Sequence, residues 1–156
     1  MPLAWETTTS PSAADVEAVT EGVISHGRSL AADGRAQPIA CFARLGDVVI
    51  AGAAGRTEYG RLFVGGLWVS AEMRNRDLGA ETSLRLEADA ARRGCTPALI
   101  ATLSDRTAGL YGLYGLYGLY GRLGCRTLAQ VTQYVGPFNR HIMLKALPDA
   151  VAPTAV

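Results

Sequence analysis

Arg74 and Arg76 stand two residues apart in a short polar turn, Ser70–Asp77. A helical pattern follows from Leu78: Ala80, Leu84, Ala88 and Ala91 recur at i, i+4, i+8 and i+11 on one face. An apolar run, Leu62-Phe63-Val64-Gly65-Gly66-Leu67-Trp68-Val69, comes before the turn and has the length and composition of a buried strand. The order is strand, tight turn, helix. The first turn of a helix leaves backbone N–H groups without partners, and the helix dipole favours an anion there. Two guanidinium groups at that mouth make Arg74–Ala80 a candidate phosphate cradle. Groups able to take a proton from a substrate are scattered along the chain: His26, Glu58, Glu72, Asp105 and His141. Imidazole has the pKa best suited to that work.

These groups must be held by a chain of 156 residues with a formal net charge of +1. That length suits one domain with a sizeable core. No basic patch points to nucleic acid, and no apolar run reaches the ~18–20 residues of a membrane span. The N-terminus lacks a cationic region followed by an apolar run, so no secretory signal is read there. Cys41, Cys95 and Cys125 have no metal-type spacing and are odd in number. They read as reduced thiols of a cytoplasmic protein, and no metal site is expected.

In chain order, Leu3–Trp5 has the makings of a short first strand. Ser12 and Asp15 resemble a helix N-cap region, and Val16, Val19, Val23 and Leu30 give a helical stripe, so a helix is expected over 13–32. Pro38–Arg44 and Val48–Arg56 read as strands joined by the turn Leu45-Gly46-Asp47. Tyr59-Gly60 turns the chain into the strand 62–69. Arg92-Arg93-Gly94 closes the second helix. Ala98–Leu103, Cys125–Tyr134 and Phe138–Leu147 are the remaining strands, the last two joined through Gly136-Pro137. Strand, helix, strand around Leu78–Gly94 implies a parallel crossover. Residues 148–156 read as a disordered tail.

The run Arg74-Asn75-Arg76-Asp77-Leu78-Gly79-Ala80 resembles the Arg/Gln-x-x-Gly-x-Gly/Ala signature of the GNAT N-acetyltransferases, with Asp77 where the first glycine belongs. The preceding Leu-Trp-Val strand, the Arg-Arg-Gly-Cys helix end and the downstream chain extend the resemblance over roughly residues 15–147. It implies a mixed α/β domain over residues 1–147 with a mostly antiparallel sheet, splayed at its central parallel pair and flanked by helices. It implies acetyl-coenzyme A as co-substrate. The backbone around Trp68 and Val69 would pair with its pantetheine arm, Arg74, Asn75, Arg76, Asp77, Leu78, Gly79 and Ala80 would hold its pyrophosphate, and Ser104 would complete the site. Trp68 itself reads as a sheet-packing side chain.

Ser104–Gly124 contains four consecutive Leu-Tyr-Gly units, Leu110–Gly121. Related chains carry a single Leu-Tyr followed by Arg-Leu-Gly. Ser104, Thr107, Leu110 and Tyr111 match from the front, and Tyr120, Arg122, Leu123 and Gly124 match from the back. Both matches hold if three Leu-Tyr-Gly units are an insertion. In GNAT enzymes the tyrosine of this helix protonates the departing thiolate. Tyr120 takes that role if register is set from behind and Tyr111 if it is set from the front; Tyr114 and Tyr117 read as packing residues. His26, late in the first helix, falls in a region that borders the acceptor site in the family and is the candidate base. The expected reaction is acetyl transfer to a primary amine of a small molecule. The alternatives are a protein N-terminus or lysine as acceptor, and a catalytically weak acyl-coenzyme A-binding protein. Related proteins are often dimers.

Overall fold

The computed structural model describes residues 1–31, 35–104, 120, 121 and 123–148. The chain divides into two compact units, Met1–Arg35 and Ala36–Val156. The first contains one helix, α1 (Ala13–Leu30). Ser12 caps it: its Oγ accepts from the Asp15 N–H at 3.1 Å and donates to the Asp15 carboxylate at 2.5 Å. The strand expected over Leu3–Trp5 does not form; residues 1–8 have no regular structure and Leu3 and Trp5 are exposed.

The second unit is built on a six-stranded sheet in the order β1-β2-β3-β4-β6-β5. The strands are β1 (Gln37–Leu45), β2 (Val48–Glu58), β3 (Arg61–Val69), β4 (Pro97–Ser104), β5 (Arg126–Val135) and β6 (Phe138–Ala146). β1, β2 and β3 form the expected antiparallel meander, with Gly46 and Gly60 in the left-handed region at the two turns. After β3 a single 3₁₀ turn (Ala71–Met73) leads to helix α2 (Leu78–Arg92). β3 and β4 pair in parallel; every other pairing is antiparallel.

α2 ends as its sequence predicts. Gly94 (φ +87°) donates to Ala91 O and Cys95 to Ala90 O, the paired bonds of a Schellman cap. The chain repeats the device at Gly124 (φ +89°), where Gly124 donates to Gly121 O and Cys125 to Tyr120 O at 2.9 Å. Both cysteines that follow these caps are buried free thiols. The core face of α2 differs from the stripe read in the sequence. Thr82, Ser83, Leu86, Glu87, Ala90 and Ala91 are buried, and Leu84 is exposed. The polar members are admitted because each is satisfied: Thr82 Oγ1 donates to Leu78 O, Ser83 Oγ to Glu87, and Lys145 to Glu87.

One core cluster joins α2 to the sheet through Leu86, Ala90, Ile39, Ala53, Leu62 and Ala98. A second joins Ile100, Tyr120, Cys125 and Met143, with Val64 and Leu67 packed against both. Between them β3 is bent. Ala54 pairs with Gly66 but Gly55 with Val64, so Gly65 is the extra residue of a bulge. Gly55 sits directly behind it, and a Cβ there would lie 1.9 Å from Phe63 O. Gly55→Ala should therefore force the backbone of the bulge apart and destabilise the protein by ~1–3 kcal/mol or more, read as a fall in Tm.

Candidate functional site

The bulge decides where the sheet opens. β3 and β4 share three rungs, Leu62↔Ala98, Phe63↔Leu99 and Val64↔Ile100, and pairing stops where Gly65 begins the bulge. Beyond it β3 continues to Val69 and β4 to Ser104 without pairing to each other. On its other side β3 remains bonded to β2, with Gly52↔Trp68 and Ala51↔Val69. The edge of Gly66–Val69 facing β4 thus has donors and acceptors directed into a gap, and an extended chain of amides could pair with it.

At the end of that edge lies the turn singled out in the sequence. Arg74 Nε donates to Val69 O at 3.4 Å, folding the turn back against the strand end. Asn75 (φ +61°) and Asp77 (φ +56°) both adopt the left-handed conformation that glycine takes without strain. Asp77 is the N-cap of α2, yet its carboxylate makes no capping bond; only its backbone O is used, by Glu81 N at 2.9 Å. No N-cap side chain competes for the first-turn N–H groups, and Arg74 and Arg76 are exposed beside them. A 15-residue helix beginning this way presents a positive end.

The fit to a coenzyme A-like molecule can be tested on Ser70, between the strand edge and the turn. Its Oγ is buried and has no hydrogen-bond partner among the described residues. An orphan hydroxyl is costly unless a ligand completes it. Ser70 is a residue that sequence reading missed, because a lone serine after a strand carries no signal. The residues fit: an open strand edge for amides, a hydroxyl awaiting a partner, then a basic helix mouth for phosphate.

Tyr120 stands on the other side of the opening. It is 2 % exposed and packs with Ile100 of β4, Met143 of β6 and Cys125, against Val64 and Leu67 of β3. It therefore sits at the floor of the gap, next to the last rung. Its phenol is pushed well above the ordinary range, first by burial, then by the Cys125 thiol and the Glu87 carboxylate. Such a phenol stays protonated and is available as a proton donor.

The other predicted residues are placed less tightly. Trp68 is 53 % exposed. Ser104 ends β4 opposite Asn139. His26 is exposed on α1, in the other compact unit. Tyr111 and most of the Leu-Tyr-Gly repeat, 110–119, lie outside the described residues, as do Asp105, Tyr114, Tyr117 and the tail 149–156. His141 is buried opposite Thr102, and burial lowers its pKa, favouring neutral imidazole. Among the described residues no helix is long and apolar enough to cross a membrane.

A family model described as acetyltransferase (GNAT) family matches residues 4–118. A structure from Agrobacterium tumefaciens, assigned as an acetyltransferase, superposes with a TM-score of 0.81 at 18% identity, covering 93% of this chain and 100% of that one. An acetyltransferase from Bacillus cereus gives 0.77 at 18% identity over 91% and 98%. An aminoglycoside 6'-N-acetyltransferase complexed with coenzyme A gives 0.59 at 17% identity over 87% and 83%. At these identities the likeness is one of fold. No curated protein matches the sequence.

Proposed function

The chain belongs to the GNAT family of acetyltransferases, which use acetyl-coenzyme A, and from that premise we propose that it acetylates a primary amine of a small molecule. The observation that carries the reading is the gap between β3 and β4, bounded by the free edge of β3, the orphan Ser70 hydroxyl and the uncapped start of α2. Acetyl-coenzyme A, when bound, supplies an activated thioester. The backbone of Gly66–Val69 would orient its amide arm, Ser70 would satisfy a polar atom along it, and the N–H groups of Leu78, Gly79 and Ala80 with Arg74 and Arg76 would neutralise its phosphates. Asn75 and Asp77 shape that turn through their backbone conformation. Tyr120 would return a proton to the departing thiolate; its high pKa makes it a donor that is itself never lost to ionisation at working pH. An aminoglycoside acetyltransferase shares the fold, so a small-molecule acceptor is one the fold accommodates.

The test is thiol release from acetyl-coenzyme A across a panel of polyamines, aminoglycosides and lysine- or free-N-terminus peptides. Turnover on a small amine is the expected result. Turnover on peptides alone would move the acceptor to protein, and binding without turnover on any amine would leave an acyl-coenzyme A-binding protein.

Asp77→Gly tests the turn separately. The substitution relieves the left-handed strain of a non-glycine residue, ~1 kcal/mol, and gives the unfolded chain a comparable entropy gain. Those effects offset, so Tm should hardly move. Affinity for acetyl-coenzyme A should rise, because a carboxylate beside the phosphates is removed. Calorimetry showing a weaker complex would mean that the carboxylate contributes to binding.

A further inference from the structure

At the paired end of β3 and β4 lies an ion pair that the reaction above does not use. Glu87 of α2 is 2 % exposed, and Lys145 Nζ of β6 meets its Oε2 at 2.6 Å. Ser83 Oγ donates to the other carboxylate oxygen at 3.2 Å. Desolvating two charges costs several kcal/mol each, so such a pair is a poor device for stability alone. Its placement is more informative. α2 packs on β1, β2 and β3. Lys145 belongs to the other half of the sheet, opposite Ala98 of β4. The pair therefore ties the helix that carries the phosphate turn to the half that carries Tyr120, across the joint of three rungs.

The pair also acts where Tyr120 packs. Glu87 acts on Tyr120, and Glu87 and Lys145 act with opposite sign on Cys125, which packs against it. Lys145 follows Met143 on the same strand, and Met143 also packs with Tyr120.

We propose that Glu87 and Lys145 are matched positioning residues for Tyr120, clamping α2 to β6. The proposal rests on Tyr120 being the proton donor. Without the clamp the turn and the tyrosine are no longer held in one geometry, which costs rate and leaves cofactor affinity intact.

Three variants test this: Glu87→Gln, Lys145→Arg and the double variant Glu87→Gln/Lys145→Met. The double variant should fold with a Tm at or above that of the wild type. It should bind acetyl-coenzyme A with unchanged Kd and lose roughly ten- to a hundredfold in kcat through misalignment. Lys145→Arg, which keeps the charge, should keep kcat. Glu87→Gln breaks the pair and should lose kcat as the double variant does, again at unchanged Kd. Should Glu87→Gln not fold, the double variant and Lys145→Arg still decide the clamp. Full kcat in the double variant, or in a folded Glu87→Gln, would overturn the proposal. Tyr120→Phe separates the two readings. If it keeps full kcat, the acid role is wrong; if it loses kcat while the double variant keeps full kcat, the clamp alone is wrong.

Discussion

Replacing Tyr120 by phenylalanine should lower kcat by roughly 10²–10⁴-fold, the range that a positioned general acid contributes. The change removes one oxygen and leaves the ring among Ile100, Cys125 and Met143, so the protein should melt near the wild-type temperature. Acetyl-coenzyme A affinity should also stay close to normal, because the strand edge and phosphate turn are untouched. On the proposed role, the thiolate would then take its proton from water, and that step would be slowed. A leaving group of lower pKa needs the proton less, so an activated thioester should recover much of the lost rate. The result that defeats this assignment is full kcat in Tyr120→Phe. Loss in Tyr111→Phe instead would move the role to the front of the repeat. The Schellman bond from Cys125 N to Tyr120 O holds Tyr120 where it packs with Ile100 and Met143.

The second large effect is expected on binding. Arg74→Ala with Arg76→Ala should weaken acetyl-coenzyme A by roughly 10²–10⁴-fold, since hydrogen bonds to charged groups are worth ~1.5–3 kcal/mol each. Arg74 has two reasons to contribute. It stands at the helix mouth, and its Nε bond to Val69 O holds the turn against the end of β3. The loss should shrink as salt is raised, because screening already weakens the wild-type contact. Both side chains are exposed, so Tm without ligand should change little. Calorimetry giving the wild-type Kd for the double variant would remove the phosphate site from this turn.

What could be read from sequence follows the range of the interactions. Ser12, Gly46, Gly60 and Gly94 act within a few residues of themselves, and their caps and turns fall where the residues put them. The turn from Arg74 to Ala80 was legible for the same reason, and Asp77 adopts the backbone that the glycine it replaces would take. The polar core face of α2 was hidden. Ser83 and Glu87 look like solvated residues until Lys145, 58 positions away from Glu87, arrives from β6. The unformed strand at Leu3–Trp5 shows the converse: alternating apolar residues need a neighbour to pair with, and sequence does not supply one. Gly65-Gly66 within an apolar run was a bulge signal that went unread, although glycine in a strand often marks one.

That bulge gives the sheet a line of weakness. Load on a continuously paired sheet is shared by every strand, but here it passes through Leu62–Val64 and Ala98–Ile100. The antiparallel ladders on either side are longer and should open later. A ligand threaded along the free edge of β3 would act as the missing rungs, so each catalytic cycle would alternately mend and part the sheet. Amide exchange at those three rungs would then follow the cofactor on and off, making the seam a gauge of occupancy as well as the place where chemistry occurs.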